Sequence, residues 1–474
     1  MERLTMKTLK EYNVVWEDRV EQDYVQAVSS LNRKIIVLDD DPTGVQTVHG
    51  LHVYTGWDEK TIEEAFEEKN EMVYILTNSR SFTPLETQKV HETIATRIEK
   101  ISVKKNKAYL LISRSDSTLR GHYPLETETL RKTIQQQSGK VFDGEIIIPF
   151  FLEGGRYTVE NIHYVQEGET LKPVAETEFA LDKSFGYVNS HLGRYIEEKT
   201  GGDFLEKDCL YIGLQDLCAG NIEKIAAQLM KVSNFNKIIV NATTYMHVEV
   251  FVIAFIRAMK AGKEFMIRSA ASFPRVIGAI GEKPLLSRED IIKNKELNGG
   301  ITMIGSHVVK TSLQLEELKT SFIPLKFIEF NQHLVTDEKK LYQEVVRVTA
   351  ITEKSIREGE SIVIYTRRER FDPDTANKDS QLQIAVKISD SLTSIIARLR
   401  VRPAYIIAKG GITSSDVGTK ALQVKKALVM GQIRPGIPVW LTDPESKFPQ
   451  LPFIIFPGNV GEKETLKEII DLLS

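Results

Sequence analysis

The sequence has little of what marks a secreted, redox or membrane protein. Its 474 residues contain only two cysteines, Cys209 and Cys218, whose spacing matches no zinc or redox motif. We expect two free thiols in a reducing cytosol. No apolar run is long enough to span a bilayer. The first residues, MERLTMKTLKEYNVVWEDRVEQ, carry charges throughout and lack the apolar segment of a signal peptide. These absences predict a cytoplasmic protein with no membrane partner.

The sequence also lacks an excess of charge of either sign. Lysine and arginine total 62 and aspartate and glutamate total 65, which leaves a net charge of -3. Such a balance gives no electrostatic footprint for nucleic acid or for an anionic membrane. Nucleic acid is therefore not an expected partner, and an anionic ligand would need a local cluster of donors.

Two common nucleotide motifs are missing as well. No GxxxxGK[ST] occurs, which excludes a P-loop enzyme, and no GxGxxG follows a candidate strand, which argues against a dinucleotide fold.

His49 and His52 have no third ligand nearby in the sequence and are expected to be structural. The sequence leaves any metal ligands unknown.

What is present is a repeated pattern of a short apolar run, a polar loop and a helical stretch. This alternation predicts βαβ units and a mainly parallel sheet, and the continuous apolar runs suit strands buried on both faces. The first series of candidate strands is Lys34–Leu38, Met72–Leu76, Tyr109–Ile112, Glu145–Ile148 and Lys237–Val240. The second series is Ile301–Ile304, Ile362–Tyr365, Ala404–Ala408, Val439–Leu441 and Phe453–Phe456.

The chain is too long for one ordinary core, so we expect two α/β domains, each with a mainly parallel sheet flanked by helices. The predicted segments are a helical N-terminal extension at 1–30, a first domain at 31–275, a linker at 276–300 and a second domain at 301–474. Ligands of open α/β sheets bind at the carboxyl ends of the strands. One such edge in each domain indicates two ligands that meet in the cleft between them.

The loop after the first candidate strand reads Asp39-Asp40-Asp41-Pro42-Thr43-Gly44. Three consecutive carboxylates repel one another unless a cation or hydrogen-bond donors balance them. A Mg²⁺ ion, or a substrate hydroxyl that needs a base, would explain them. A solvated turn accounts for the proline and the glycine but not for the acids. Asp40 and Asp41 are therefore the candidate catalytic residues.

Other loops of the first half combine arginines with hydroxyls. Arg114-Ser115-Asp116-Ser117-Thr118 can hold a carboxylate through the planar arginine fork and neighbouring hydroxyls through the other side chains. A helix N-cap or surface salt bridges would be the simpler explanation. The candidate substrate-binding residues are Asp40, Arg80, Arg114, Ser115, Asp116, Ser117, Thr118 and Arg156.

In the second half, a glycine pair follows the strand AYIIA. Glycines let the backbone approach a phosphate closely, and a helix N-terminus offers free N–H groups. A tight turn and a helix capped by Thr413 and Asp416 is the alternative interpretation. The candidate nucleotide-binding residues are Ser306, Gly410, Gly411, Ile412, Thr413 and Gly458.

These motifs, taken in order, resemble the four-carbon acid sugar kinase family. The matches are D-D-x-T-G at Asp40–Gly44, S-D-S-T-L-R-G at Ser115–Gly121, G-G-R at Gly154–Arg156, G-S at Gly305–Ser306 and G-G-I-T-S at Gly410–Ser414. The resemblance implies a sugar-binding first domain and a nucleotide-binding second domain. It also implies that ATP and Mg²⁺ serve to phosphorylate the terminal hydroxyl of a threonate-like or erythronate-like acid. A homo-oligomer is compatible with it.

We hypothesise that Asp40 or Asp41 deprotonates the substrate hydroxyl. A phosphatase is the first alternative, because IIVLDDDPT also looks like the haloacid-dehalogenase signature, with Asp39 as nucleophile and Asp41 as acid/base. Against it, no later strand carries a convincing acidic pair for Mg²⁺. The second alternative is a two-lobed sugar-acid sensor without catalysis.

Overall fold

The computed structural model describes residues 4–12, 18–292, 298–369, 371, 378–458 and 460–474. The strands are β1 (Lys34–Asp39), β2 (His52–Tyr54), β3 (Met72–Leu76), β4 (Tyr109–Arg114), β5 (Gly144–Ile148), β6 (Arg156–Val159), β7 (Ile162–Glu167), β8 (Thr170–Pro173), β9 (Leu210–Ile212), β10 (Asn236–Val240), β11 (Phe265–Ser269), β12 (Ile301–Ile304), β13 (Leu325–Phe330), β14 (Ser361–Thr366), β15 (Ile406–Lys409), β16 (Lys426–Arg434), β17 (Ile437–Thr442) and β18 (Pro452–Phe456).

The α-helices are α1 (Met6–Leu9), α2 (Asp18–Ser29), α3 (Glu59–Glu67), α4 (Pro84–Lys105), α5 (Leu125–Ser138), α6 (Leu192–Lys199), α7 (Leu214–Cys218), α8 (Ile222–Met230), α9 (Tyr245–Lys260), α10 (Ser272–Ile277), α11 (Arg288–Ile291), α12 (Val309–Leu318), α13 (Glu338–Arg357), α14 (Lys378–Arg398), α15 (Gly411–Asp416) and α16 (Thr465–Leu473). A π-helical turn, Val417–Ala421, follows α15 directly.

The chain folds into two compact units. Unit 1 comprises Met1–Val48 and Gly56–Glu282, and unit 2 comprises His49–Thr55 and Lys283–Ser474. The segment His49–Thr55 departs from the expected division, which placed it in the first domain. It belongs to unit 2 because β2 pairs antiparallel with β16, a long-range pairing that local sequence does not reveal.

Unit 1 contains an entirely parallel sheet in the order β3-β1-β4-β11-β5-β10-β9. The β1 strand is buried along its whole length, as its continuous apolar run predicts. Its last residue, Asp39, pairs in register with Leu76 of β3 and Arg114 of β4. On the next strand, Ser269 of β11 also pairs with Arg114. The loops that follow these four strands therefore start at the same level of one sheet edge.

A second, smaller sheet of unit 1 was not predicted. It is antiparallel, in the order β6-β7-β8, and it starts at Arg156 in the G-G-R motif. The turn before it places Gly155 at a φ of +69°, where glycine is favoured.

Unit 2 contains the parallel strands β13-β14-β12-β15-β18, continued by antiparallel β17, β16 and β2. Lys409, the last residue of β15, pairs in register with Ile304 of β12 and Phe456 of β18. The loops after these strands consequently begin side by side. The prediction of two α/β units with mainly parallel sheets is confirmed.

Helices cover the sheets through apolar faces. The α9 helix of unit 1 is buried on almost every side, which fits its nearly uninterrupted apolar sequence. No helix in the described part of the chain has both the length and the apolar character that a bilayer crossing requires. Cys209 and Cys218 are both free cysteines, as expected.

Candidate functional site

The three aspartates after β1 have different environments, and Asp39 is the most enclosed. Its residue surface is 1% exposed, and Arg114 donates from Nη1 to its Oδ1 at 3.2 Å. Its other oxygen is buried without a hydrogen-bond partner. Burial raises the pKa of Asp39 to about 8, although Arg114 opposes the rise. A Cβ at Gly44 would lie 2.0 Å from both carboxylate oxygens, so Gly44 is needed for close backbone approach.

Asp40 is held by the guanidinium of Arg80. Arg80 donates from Nε to Oδ2 at 3.2 Å and from Nη2 to Oδ1 at 2.7 Å, and Ser115 donates from Oγ to Oδ2 at 3.0 Å. Burial acts to raise the pKa of Asp40, but the charge and hydrogen bonds of Arg80 outweigh it and lower the pKa. The planar fork of Arg80, one of the expected substrate-binding residues, is thus occupied by a protein carboxylate.

Asp41 is the most accessible of the three. Its carboxylate caps the 3₁₀ turn Pro42–Val45 by accepting from the Thr43 N–H at 2.8 Å. Arg80 Nη1 lies 3.5 Å away, and the side chain is 13% exposed. A carboxylate with one backbone donor, and with a cation at 3.5 Å that makes no hydrogen bond to it, retains oxygens that can accept a substrate proton.

The loop after β4 is fixed by its own side chains. Arg120 donates from Nε to Asp116 Oδ2 at 2.8 Å, and the Thr118 hydroxyl donates to the same oxygen. Burial acts to raise the pKa of Asp116, but Arg120 and Arg80 hold it well below its usual value. The predicted Asp116 and Thr118 therefore join the Asp40 cluster, and arginines supply the balancing cations.

Ser117 contributes its backbone to this arrangement. His163 donates from Nε2 to the Ser117 carbonyl at 2.8 Å, and its Nδ1 accepts from the Thr158 hydroxyl at 2.9 Å. Burial lowers the pKa of His163 to about 4. The histidine is thus a neutral support that fixes the loop.

Sequence reasoning missed two members of the cluster, Arg268 and Glu126. Arg268 donates from Nη1 to Glu126 Oε2 at 3.1 Å and from Nη2 to Ser115 Oγ at 3.0 Å. Ser79 donates from Oγ to Glu126 Oε1 at 2.6 Å. The signal available was the polar Arg268-Ser269 ending of FMIRS, an apolar run that the prediction did not recognise as a strand.

Arg156 lies in the same cluster but has no acidic partner. The residue is 8% exposed, and its Nε is buried without a hydrogen bond. Among the ion pairs of the described residues, none involves this guanidinium. Burial lowers its pKa, while Asp116 acts in the opposite direction. A Cβ at Gly154 would lie 3.2 Å from its Nη1 and 2.3 Å from the Phe151 ring, so Gly154 makes room for both side chains.

In unit 2, the loops after β12, β15 and β18 meet. A Cβ at Gly305 would lie 2.4 Å from Thr413 Oγ1, one at Gly410 would lie 3.1 Å from Ser306 Cβ, and one at Gly458 would lie 3.3 Å from Ser306 Oγ. Side chains at these three positions would fill the space where the loops converge. The predicted residues Ser306, Gly410, Thr413 and Gly458 are therefore neighbours.

The start of α15 differs from the predicted capping box. Gly410 is the N-cap residue of this helix, and no side chain caps the helix. Its φ of +116° lies in the region that favours glycine. Gly411 begins the helix and Ile412 is 63% exposed. Asp416 instead accepts from Ser389 Oγ at 2.5 Å, and a cap from Thr413 is not formed.

The donor set does not form a dedicated metal cage. Within the residues that the structure describes, no group of three or more histidine, cysteine, aspartate or glutamate side chains is arranged to hold a metal ion. Asp39, Asp40 and Asp116 already bind arginines, as described above. A Mg²⁺ ion would thus need most of its ligands from nucleotide phosphates and water.

Family comparisons match both units. The model of the sugar-binding N-terminal domain matches residues 35–277, and that of the nucleotide-binding C-terminal domain matches residues 301–466. The chain belongs to the four-carbon acid sugar kinase family. The family resemblance indicated by the ordered motifs is thereby confirmed.

Solved structures of similar fold cover nearly the whole chain. A Haemophilus influenzae protein of the DUF1537 family matches with a TM-score of 0.58 at 18% identity, covering 93% of this chain and 100% of its own. A Salmonella typhimurium LT2 protein, named provisionally as a tRNA synthase, matches with a TM-score of 0.62 at 16% identity, covering 92% and 98%. At these identities the likeness supports the fold alone. No curated protein matches the sequence.

Proposed function

We propose that this member of the four-carbon acid sugar kinase family transfers the γ-phosphoryl group of ATP to the terminal hydroxyl of a threonate-like or erythronate-like acid. The observation that carries the proposal is the pairing of two different sites in one chain. A sugar-binding domain holds a buried cluster of arginines and aspartates, and a nucleotide-binding domain holds converging glycine loops.

In unit 1, we assign the acid substrate to the loops around Asp40. The proposed contacts are Asp40, Arg80, Arg114, Ser115, Asp116, Ser117, Thr118 and Arg156. Asp41 is the better candidate for the general base, because Asp40 already accepts three hydrogen bonds, two from the Arg80 fork and one from Ser115, that stabilise its charged form. Phosphoryl transfer depends on positioning and on neutralising charge more than on covalent chemistry. A rigid arginine network fits that requirement.

In unit 2, we assign the nucleotide to Ser306, Gly410, Gly411, Ile412, Thr413 and Gly458. The absence of Cβ atoms at Gly305, Gly410 and Gly458 lets phosphate oxygens approach the backbone N–H groups. Magnesium would neutralise phosphate charge when bound with the nucleotide. Transfer then requires the two bound ligands to meet, with water excluded.

The phosphatase alternative is less compatible with the structure. A nucleophilic Asp39 would have to reach a phosphoryl group, yet it is 1% exposed and lies against Gly44 and Arg114. The sensor alternative needs no nucleotide, whereas the chain carries a nucleotide-binding domain.

A substrate screen tests the proposal. The purified protein is incubated with ATP, Mg²⁺ and each of the four stereoisomers of the C4 acid, and ADP formation is measured. One or two acids should stimulate ADP formation well above the rate with ATP alone. If no acid stimulates it while several bind, the chain is a sensor. If phosphorylated acids release inorganic phosphate without ATP, it is a phosphatase.

A further inference from the structure

Three lysines among the described residues are fully buried, and they differ in what holds them. Lys34, Lys237 and Lys409 are each 0% exposed. Lys237 pairs with the Glu145 carboxylate at 2.5 Å, and Lys34 donates to two backbone carbonyls. Lys409, the last residue of β15, has no carboxylate partner in the described part of the chain. It makes one hydrogen bond, from Nζ to the Pro457 carbonyl at 2.7 Å.

The position of Lys409 is costly for an amine. Burial without an anion disfavours the charged form, and it lowers the pKa of Lys409 well below its usual value, with the cation of Lys310 acting in the same direction. The amine lies 3.7 Å from the centre of the Phe456 ring, a contact that offsets part of this cost. A buried lysine that the core does not require invites a search for what its one hydrogen bond does.

That bond fixes the orientation of one peptide unit. The carbonyl of Pro457 and the N–H of Gly458 belong to the same planar trans peptide, so the two groups point in opposite directions. Because Lys409 holds the carbonyl, the Gly458 N–H points away from the lysine. This N–H has no acceptor among the described residues. A Cβ at Gly458 would lie 3.3 Å from Ser306 Oγ, so the peptide adjoins the loop after β12.

Gln314 of α12 orients a second peptide of the same loop. It is 0% exposed, and its Nε2 donates to the carbonyls of Val460 and Glu462 at 3.2 and 2.9 Å. The Val460 carbonyl shares its peptide with the N–H of Gly461, for which the described part of the chain supplies no acceptor either. Two N–H groups of one loop are thus turned away from the buried side chains that hold their carbonyls. Oriented backbone N–H groups of this kind bind anions.

We propose that Lys409 and Gln314 are positioning residues that turn the N–H groups of Gly458 and Gly461 toward a phosphate of the bound nucleotide. The proposal rests on the function proposed above and deepens it, because it adds Gly461 as a donor and names the buried side chains that hold both donors in place. Adenosine, which has no phosphate, gains nothing from these donors. The affinity of unit 2 for nucleotides should therefore depend on phosphate through Lys409 and Gln314.

The test compares ADP with adenosine on the full chain, by calorimetry and by displacement of a fluorescent ADP. Lys409→Met keeps an apolar stem but cannot donate to Pro457. It should weaken ADP binding roughly 10-fold, the effect of one hydrogen bond to a charged group, and should change adenosine binding by less than about twofold. Gln314→Met, on a different element, should show the same selective loss and serves if Lys409→Met does not fold. A merely structural role would weaken both ligands alike.

Proton uptake gives a second readout on the unaltered protein. ADP binding is measured at pH 8 in two buffers that differ in ionisation enthalpy. Burial lowers the pKa of Lys409, and a phosphate close by favours the charged amine, so binding should take up a proton. Lys409→Met should abolish this uptake. Lys310, the other cation that acts on Lys409, is present in both proteins.

Lys34 provides the matched control. It is equally buried, and its Nζ donates to the carbonyls of Glu68 and Asn70 at 2.9 and 2.6 Å, but these carbonyls belong to unit 1. Lys34→Met should leave the affinities for ADP and adenosine, and the proton uptake, unchanged.

Four results would overturn the inference: ADP affinity within twofold of normal in both Met variants, an equal loss for ADP and adenosine, proton uptake that persists in Lys409→Met, or no nucleotide binding by the unaltered protein. The kinase proposal fails separately, if ADP and ATP bind with this dependence on phosphate but no acid is phosphorylated.

Discussion

The same substitution should have different effects at the two adjacent aspartates: Asp41→Asn should reduce turnover, and Asp40→Asn should reduce stability. Asp41→Asn keeps the shape of the side chain and its ability to cap the Pro42–Val45 turn, because asparagine caps about as well as aspartate. We therefore expect a stability loss below about 1 kcal/mol. Turnover should fall by ~10²–10⁴, the usual contribution of a general base, while the affinity for ATP stays the same.

Asp40→Asn should instead act mainly on stability. It removes the charge that receives the Arg80 fork, at 3.2 and 2.7 Å, from a residue that is 2% exposed. Breaking a buried ion pair on one side costs about 3–5 kcal/mol. We expect roughly 3 kcal/mol, the lower end of that range, because Asp41 and Asp116 remain near Arg80.

The assay for this pair combines urea unfolding with steady-state ADP formation for both variants. The reasoning is refuted if Asp41→Asn retains turnover within threefold, or if Asp40→Asn is as stable as the unaltered protein. If the two variants lose equal stability and equal turnover, the division of roles between the two carboxylates is wrong.

Three further outcomes are expected. Gly44→Ala should destabilise unit 1 by about 1–3 kcal/mol, the usual cost of overpacking, because its Cβ would lie 2.0 Å from the Asp39 carboxylate; an unchanged urea midpoint would contradict this. Gly410→Ala should weaken ATP binding in calorimetry at least tenfold, whereas Gly220→Ala, with a positive φ of +62° in open space, should not. The pKa of His163, lowered to about 4 by burial, means that the unfolded chain binds a proton that the folded chain rejects between pH 6.5 and 4. His163 should therefore contribute roughly 3 kcal/mol to a loss of stability as pH falls through that window, and His163→Gln should reduce the dependence without abolishing it, because burial also lowers the pKa of His247 to about 4.

Much of the fold could be predicted because its signals are local. Buried parallel strands read as short apolar runs, and β1 and β3 begin where predicted. The motifs directly follow those strands. Because parallel strands end at the same edge of a sheet, the sequence correctly predicted that the loops after β1, β3 and β4 lie side by side. The hairpin strands β6 to β8 and the insertion of β2 into unit 2 were missed, because they depend on long-range pairing.

The candidate site was only partly predictable for a related reason. Residue types identified Arg80, Arg114 and Arg156 as a group, but the sequence does not show which carboxylate each one meets. The structure separates Arg80, which is paired with Asp40, from Arg156, which is unpaired. That difference depends on side-chain directions at a sheet edge and on the space left by Gly154.

The central claim is tested most directly by the stoichiometry of phosphoryl transfer. The acid that gives the highest rate of ADP formation is incubated with ATP and the protein, and ³¹P NMR follows all phosphorus species. The account predicts one new phosphate monoester on the acid for every ADP formed, with no lag and little inorganic phosphate. It is contradicted if ATP remains intact in the presence of every bound acid, or if the phosphate lost from ATP appears only as inorganic phosphate.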